Sequence, residues 1–219
     1  MVIKKFRNYE VLPLSNTLVI KGHPLTSETS FSLKALDQFL STYKAENPSD
    51  TITVLDVFAD NVPEIDVDIA SAFNAMATGT EFGNLSAEQQ AKVARFGELT
   101  EQFLAADKVV IANPLWNLSM PTRLKAWIDT INVAGKTFKY TAEGPVGLAG
   151  GKKVLHIQAN GGAYDGNDAS SQYLNSILNF IGIDDITSVY IEGHAYEPER
   201  ANEILADALA KVTSIAKEF

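Results

Sequence analysis

The chain has 219 residues, 46% hydrophobic and 21% charged, the make-up of a folded globular protein, which excludes disordered and fibrous classes. A net charge of -9 disfavours general nucleic-acid binding, since phosphate backbones need a basic footprint, and the absence of cysteine removes disulfides, thiolate metal sites and a cysteine nucleophile. No stretch approaches the roughly 20 apolar residues that span a bilayer, and Lys4, Lys5, Arg7 and Glu10 interrupt the region where a leader would be apolar, so a cytoplasmic protein is expected.

Residues 1–16 read as an N-terminal extension and residues 17–219 as a single domain, because no Ser/Gly/Pro-rich linker divides them. Thr17 to Lys21 is a buried strand that Gly22, His23 and Pro24 cannot extend. From Phe31, apolar residues at 33, 36, 39, 40 and 43 recur at helical spacing until Asn47 and Pro48 stop the helix. Thr51 to Val57 is a second strand, rich in β-branched residues. Two helices follow, about Asp68 to Ala77 and Ala87 to Ala105, the second with Ser86 as its N-cap. Lys108 to Asn113 is the third strand, ended by Pro114, which has no N–H to give to a ladder, and Pro121 opens a helix to Val133. Gly135 to Gly150 is an excursion bearing Gly, Pro and aromatic residues. The fourth strand is Lys153 to Ala159, followed by a helix from Ala169 to Ile181, a fifth strand from Ile186 to Glu192 and a last helix from Pro198 to Lys217.

Strands alternating with helices require right-handed crossovers and a parallel sheet covered on both faces. Five strands fit the α/β, three-layer, flavodoxin-like order 2-1-3-4-5 better than a six-stranded dinucleotide fold. Ligands in such a sheet bind beyond the carboxyl ends of the strands, at the switch between strands one and three. Three loops therefore need to be read together: those after Lys21, Asn113 and Ala159.

The first loop is rich in hydroxyls and ends where a helix opens, so Ser27, Thr29, Ser30 and Ser32 join the free N–H groups and positive dipole end that suit a phosphate. The same residues would equally serve as a simple helix cap. Neither Gly-x-Gly-x-x-Gly nor a Walker-type Gly-Lys-Ser/Thr is present. The second loop, Pro114 to Leu118, holds Trp116 either as a cap on the core or as a flat wall for a ligand. The third places Gly161 and Gly162 side by side, where bare N–H groups can approach a planar polar edge or the pair can simply turn the chain. Phosphate, flat face and polar edge are the parts of a mononucleotide site.

Pro114-Leu-Trp-Asn-Leu118 with Pro121, the run Gly135 to Leu148, Asn160-Gly-Gly162 and Ile191-Glu-Gly-His194 resemble the FMN-dependent NADH azoreductase and NADH:quinone oxidoreductase family. The likeness runs from about Thr17 to the C-terminus, and Thr29-Ser-Phe-Ser32 is similar to the flavin-phosphate loop of related quinone reductases. The resemblance implies a flavodoxin-like homodimer with FMN at each end of its interface. Ser30, Phe31 and Ser32 would hold the FMN phosphate, Pro114, Leu115, Trp116, Asn117 and Leu118 would flank the isoalloxazine, and Asn160, Gly161 and Gly162 would face its pyrimidine end. Phe138, in the segment from Lys136 to Tyr140, would lie on the substrate side of the partner's flavin, and Tyr164 would cover the site. Gly22 stands where many members have a phosphate-binding Ser, with His23 as the compensating neighbour, and Asn160 replaces a frequent Arg.

The activity so implied is two-electron, ping-pong hydride transfer from NADH through FMN to a quinone or aromatic azo compound, with no protein nucleophile required because the cofactor carries the chemistry. The alternative is a flavodoxin-like electron carrier or flavin-binding interaction protein without NADH turnover, against which stand the inserts at Asp60 to Ser86 and Gly135 to Gly150. His156, inside a predicted strand, reads as a packed core residue, His194 as a turn or interface residue, and the three scattered histidines make no metal site. Neither nucleic acid nor membrane is an expected partner.

Overall fold

Apolar strands and one-sided helices alternate through the computed structural model, which describes residues 14–219. The elements are β1 (Asn16–Lys21), α1 (Phe31–Glu46), β2 (Thr51–Asp56), α2 (Val67–Ala77), α3 (Ala87–Leu104), β3 (Lys108–Pro114) and α4 (Thr122–Ile131). They continue with β4 (Phe138–Thr141), β5 (Gly144–Gly147), β6 (Lys153–Asn160), α5 (Ala169–Phe180), β7 (Ile186–Glu192) and α6 (Ala201–Glu218). Most of the expected extension, residues 1–13, lies outside the described residues. Asn16 at its end belongs to β1, paired with Thr51.

The main sheet runs β2-β1-β3-β6-β7 with every pair parallel, so the five long strands take the order 2-1-3-4-5 expected from their alternation with helices. Strand periodicity sorts the core into two layers. Leu18, Ile20, Val109, Ile111 and Val154 pack under α3, α4 and α5 around the fully buried Trp127. Val19, Val110, Ala112, Leu155, Ile157 and Val189 pack under α1 and α6 around Phe39. Burying both faces is what continuous apolar strands such as Val109 to Ala112 demand. The expected cap on α3 is present as a full capping box: Ser86 Oγ accepts from Gln89 N–H and the Gln89 amide oxygen accepts from Ser86 N–H.

Three local expectations are corrected. Pro114 is the last residue of β3 rather than the first beyond it, in register with Ala159. The N–H of Leu115 donates to Ala159 O at 2.9 Å on the β6 side, so the proline nitrogen faces the β1 side, where paired register has already ended at Lys21 and Ala112. A proline is harmless there because no ladder bond is lost. Second, Gly135 to Gly150 contains an antiparallel hairpin, β4 with β5, whose four-residue strands are too short for an alternating pattern to stand out. It closes against the end of α5, where a side chain at Gly147 would meet the Gly182 nitrogen at 2.2 Å. Third, Pro198 to Arg200 forms a separate short 3-10 turn before α6.

Candidate functional site

The three loops begin at adjacent strand ends. Gly22 N–H donates to Ala112 O at 2.7 Å and Leu115 N–H to Ala159 O at 2.9 Å, so β1, β3 and β6 release their loops side by side at the carboxyl edge of the sheet. Gly22 must be small here: a Cβ would stand 2.9 Å from Ala112 O and 3.0 Å from the Asn113 Cβ.

In the first loop the N–H groups of Thr29 and Ser30 both fold back onto Thr26 O, at 3.3 and 3.2 Å, and deliver Ser30 to the N-cap of α1. Ser30 Oγ accepts from Leu33 N–H at 3.4 Å and lies 3.1 Å from Ser32 Oγ, both hydroxyls in buried residues. The N–H groups of Phe31 and Ser32 find no acceptor among the described residues. This is a helix start with its cap filled and two donors to spare. Glu28 is exposed at the surface of the loop.

The second loop is a two-residue turn. Trp116 N–H donates to Ser119 O at 2.8 Å and Ser119 N–H returns to Trp116 O at 2.9 Å, with Asn117 at φ 51° and Leu118 at φ 61° between them. Asn tolerates the left-handed region, whereas Leu there is strained. The turn carries the Trp116 ring, 42% exposed, edge-on to His23 at 5.3 Å between centroids and near Phe58 at 6.5 Å. His23 Nδ1 accepts from Leu25 N–H at 3.0 Å, which leaves the ring proton on Nε2. Burial, helped by the Lys21 charge, holds its pKa below the ordinary value, so at neutral pH His23 offers a donor without a charge. Its nearest aromatic neighbour puts it beside the flat wall.

In the third loop the glycine carbonyls are engaged: Gly161 O accepts from Ala195 N–H at 3.1 Å, and Gly162 O from Gly193 N–H at 2.8 Å and the Asn160 side-chain amide at 2.9 Å. Their N–H groups, like those of Asn117 and Leu118, have no acceptor among the described residues. Both glycines keep negative φ, so close packing is their reason: a Cβ at Gly161 would meet the Ala195 Cβ at 2.7 Å, and one at Gly162 the Tyr164 ring at 2.7 Å. Asn160 is 4% exposed and its Oδ1 is buried without a partner. Tyr164 is half-buried, its N–H and that of Asp165 each donating to Glu192 Oε2 at 2.7 Å.

Phe58, the bonds that Glu192 makes to the Tyr164 and Asp165 backbone, and the packing of His194, whose ring lies 4.8 Å from that of Phe31, escaped sequence reasoning. The usable signal was that β7 neighbours β6, which brings the loop after Glu192 to the same edge. Phe138 packs its ring within its own chain, 4.7 Å from that of Phe180, and the exposed aromatic of the hairpin is Tyr140.

The edge thus collects surplus donors at a helix start, an exposed apolar ring and a further row of free N–H groups, with an unpartnered Asn160 oxygen beside them. That donor set fits a phosphorylated, planar heterocycle such as FMN: anion to the start of α1, ring against Trp116, polar ring edge toward Gly161 and Gly162.

Comparisons with known proteins agree with this geometry. Residues 15–215 match the family model described as flavodoxin-like fold. The chain is 45% identical over 206 residues to an FMN-dependent NADH:quinone oxidoreductase of Streptococcus suis, covering 94% of this chain and 100% of that one. It is 46% identical over 211 residues to FMN-dependent NADH:quinone oxidoreductase 3 of Halalkalibacterium halodurans, with the same coverage. Among solved structures, an FMN-dependent NADH-azoreductase from Bacillus anthracis in complex with FMN superposes with a TM-score of 0.87 at 36% identity, over 94% of this chain and 99% of that one.

Proposed function

The chain belongs to the flavodoxin-like fold family, and from that premise we propose that it is an FMN-dependent NADH oxidoreductase that reduces quinones and aromatic azo compounds. The observation that carries this reading is the row of unengaged N–H groups on both sides of the exposed Trp116 ring, at the edge where the three loops meet. FMN, when bound, supplies hydride acceptance from NADH and two-electron delivery to the acceptor.

The protein's share is binding, orientation and electrostatics. Ser30, Phe31 and Ser32 hold the phosphate through hydroxyls and helix-start N–H groups. Pro114, Leu115, Trp116, Asn117 and Leu118 flank the ring system, with the Asn117 and Leu118 N–H groups as donors toward its reactive nitrogen. His23 supports the Trp116 wall by an edge contact and offers its Nε2–H. Gly161 and Gly162, with Asn160 bracing Gly162 O through its side-chain amide, place N–H donors at the polar ring edge where negative charge develops, and these donors require no reorganisation when it does. Tyr164, held through its backbone by Glu192, covers that edge. One open face serves NADH and the acceptor in turn, which is the basis for a ping-pong order.

A homodimer with sites at its interface is part of the proposal. Leu25, Trp116 and Leu118 are 55%, 42% and 61% exposed in one chain, and the β4–β5 hairpin exposes Tyr140 and Val146, so a second copy would exclude water from a site that one chain leaves open. Among the described residues no helix is long and apolar enough to cross a membrane.

The test is the visible spectrum of the purified protein, followed by anaerobic addition of NADH. Bound flavin that NADH bleaches and a quinone restores is the expected result; protein that takes up no added FMN overturns the reading, and bound flavin that NADH leaves coloured turns it into an electron carrier. A Gly162→Val variant that binds FMN and turns over normally would remove Gly161 and Gly162 from the site.

A further inference from the structure

Behind the Trp116 loop, on the α5 side of the sheet, four polar side chains are buried together: Asn113 on β3, His156 and Gln158 on β6, and Asp168 at the start of α5, none more than 3% exposed. They form one series. His156 Nε2 lies 3.0 Å from Asn113 Oδ1, Asn113 Nδ2 is 3.3 Å from Gln158 Oε1, and Gln158 Nε2 donates to Asp168 Oδ2 at 2.9 Å. Asp168 Oδ1 caps α5 by accepting from Ser171 N–H at 2.9 Å. The Asn113 amide reaches out of the series once, donating to Pro114 O at 2.9 Å, the last carbonyl of β3 before the loop turns.

We propose that Asp168, Gln158, Asn113 and His156 act as positioning residues for the Pro114–Leu118 wall of the flavin site, in a hydrogen-bond series whose direction is set by the Asp168 carboxylate. The proposal rests on the FMN reading above.

Direction follows from donor and acceptor chemistry. An ionised carboxylate only accepts, so Gln158 must turn its NH2 to Asp168 and its oxygen to Asn113. Asn113 must then give its NH2 to Gln158 and to Pro114 O, and its oxygen to His156. The imidazole is left as a donor at Nε2 with a bare Nδ1, and Nδ1 is indeed buried with no partner. Burial lowers the imidazole pKa to about 4, against a smaller upward pull from Asp168, so the neutral ring that this order requires is the form present at neutral pH. With every amide orientation determined, Asn113 has one way to hold Pro114 O, and the turn that carries Trp116 begins from a fixed carbonyl. The strained Leu118 that follows needs such an anchor, because a left-handed Leu persists only where its surroundings over-determine it.

Three measurements test this. In wild-type protein at pH 7, 15N NMR is expected to show neutral His156 protonated at Nε2; protonation at Nδ1 overturns the direction. In Asp168→Asn, which touches none of Pro114 to Leu118, and in Asn113→Leu, the Kd for FMN is expected to rise about tenfold, as for loss of one charge-assisted hydrogen bond. The flavin absorption band should shift, and kcat should fall with KM for NADH little changed. The double variant should be no worse than either single one. Lowered Tm in both variants with FMN Kd, spectrum and kcat within twofold of wild type overturns the proposal, as do fully additive effects. If Asp168→Asn does not fold, Asn113→Leu decides by the same readouts. Variants unchanged in a wild-type background that binds FMN sink this proposal alone, whereas wild-type protein that takes up no FMN sinks the functional reading and the role of the wall with it.

Discussion

Tyr43, at the amino end of the sheet, uses its hydroxyl three times: it donates to Asp50 Oδ2 at 2.5 Å and accepts from Thr17 Oγ1 at 3.1 Å and Lys108 Nζ at 2.8 Å. Phe39 stacks on it and Phe219 closes over both rings. On the other face of the sheet at the same end, Lys152 satisfies Leu104 O at the end of α3 and Ala106 O just after it. At the opposite end, Phe31, Ser32, Asn117, Leu118, Gly161 and Gly162 keep N–H groups with no acceptor among the described residues, and Leu118 sits in a strained turn. Around Tyr43 the polar groups are saturated by one another, whereas at the carboxyl edge a row of N–H groups is left open. A parallel sheet concentrates its helix starts and loop N–H groups at the carboxyl edge, so the open end is where a ligand can complete the hydrogen bonding, and the closed end is where stability resides without competing for that ligand.

The sharpest separation of the two ends is by pH. His156 has its folded pKa depressed to about 4 from 6.5, so the unfolded chain takes up the proton first; its contribution is fully present above pH 6.5 and is lost as pH falls toward 4. The loss is about 3 kcal/mol at most, and urea unfolding across that range should show a slope that His156→Leu flattens. At the closed end, burial works to raise the Asp50 carboxyl, but Tyr43, the Ser15 N–H and Lys108 outweigh it and hold it below the usual carboxylate range. Its contribution is therefore present above the unfolded carboxylate pKa and is lost only as pH falls below about 4. A wild-type slope confined below pH 4 would break the comparison.

Next in size, Tyr43→Phe removes the shared hydroxyl and should cost about 2–3 kcal/mol in urea unfolding while leaving FMN affinity unchanged. A change in FMN Kd would mean the two ends communicate. Gly22→Ser, at the open end, should cost about 2 kcal/mol, read as a lowered Tm, because its Cβ is crowded by the Ala112 carbonyl and by the Asn113 Cβ. The smallest effect has the opposite sign. Leu118→Asn relieves a left-handed, 61% exposed leucine and should stabilise by about 1 kcal/mol, yet weaken FMN binding through lost apolar contact. A destabilised Leu118→Asn would show that the turn carries no strain.

The main sheet is legible in the sequence. Val109 to Ala112 is apolar at every position, which only a strand buried on both faces accepts, and Phe31 to Tyr43 repeats at helical spacing up to a Pro-marked stop. The hairpin at Phe138 to Gly147 was not readable, because its strands are four residues long, too short for the alternation in Phe138 to Thr141 to stand out, and the second strand is mostly Gly and Pro. Within the site, the hydroxyls before α1 and the Gly161-Gly162 pair were visible as residue types. Glu192 was visible in the Ile191 to His194 motif but its role was not, because its partners Tyr164 and Asp165 are 28 and 27 residues away. His156 was correctly read as buried, but its link to Asn113 spans 43 residues.

By itself the sequence determined the alternation of strands and helices, the parallel order that follows from it and the edge at which a ligand must bind, since period, turn chemistry and crossover handedness are properties of short segments. The tertiary structure alone decided which atoms at that edge are spent and which are free. The glycine carbonyls are engaged while their N–H groups are not, Phe138 turns inward while Trp116 stays exposed, and a carboxylate on α5 orients an asparagine on β3. Each of these depends on the saturation of one hydrogen-bonding group by another distant in the chain, and saturation is a property of contacts rather than of spacing.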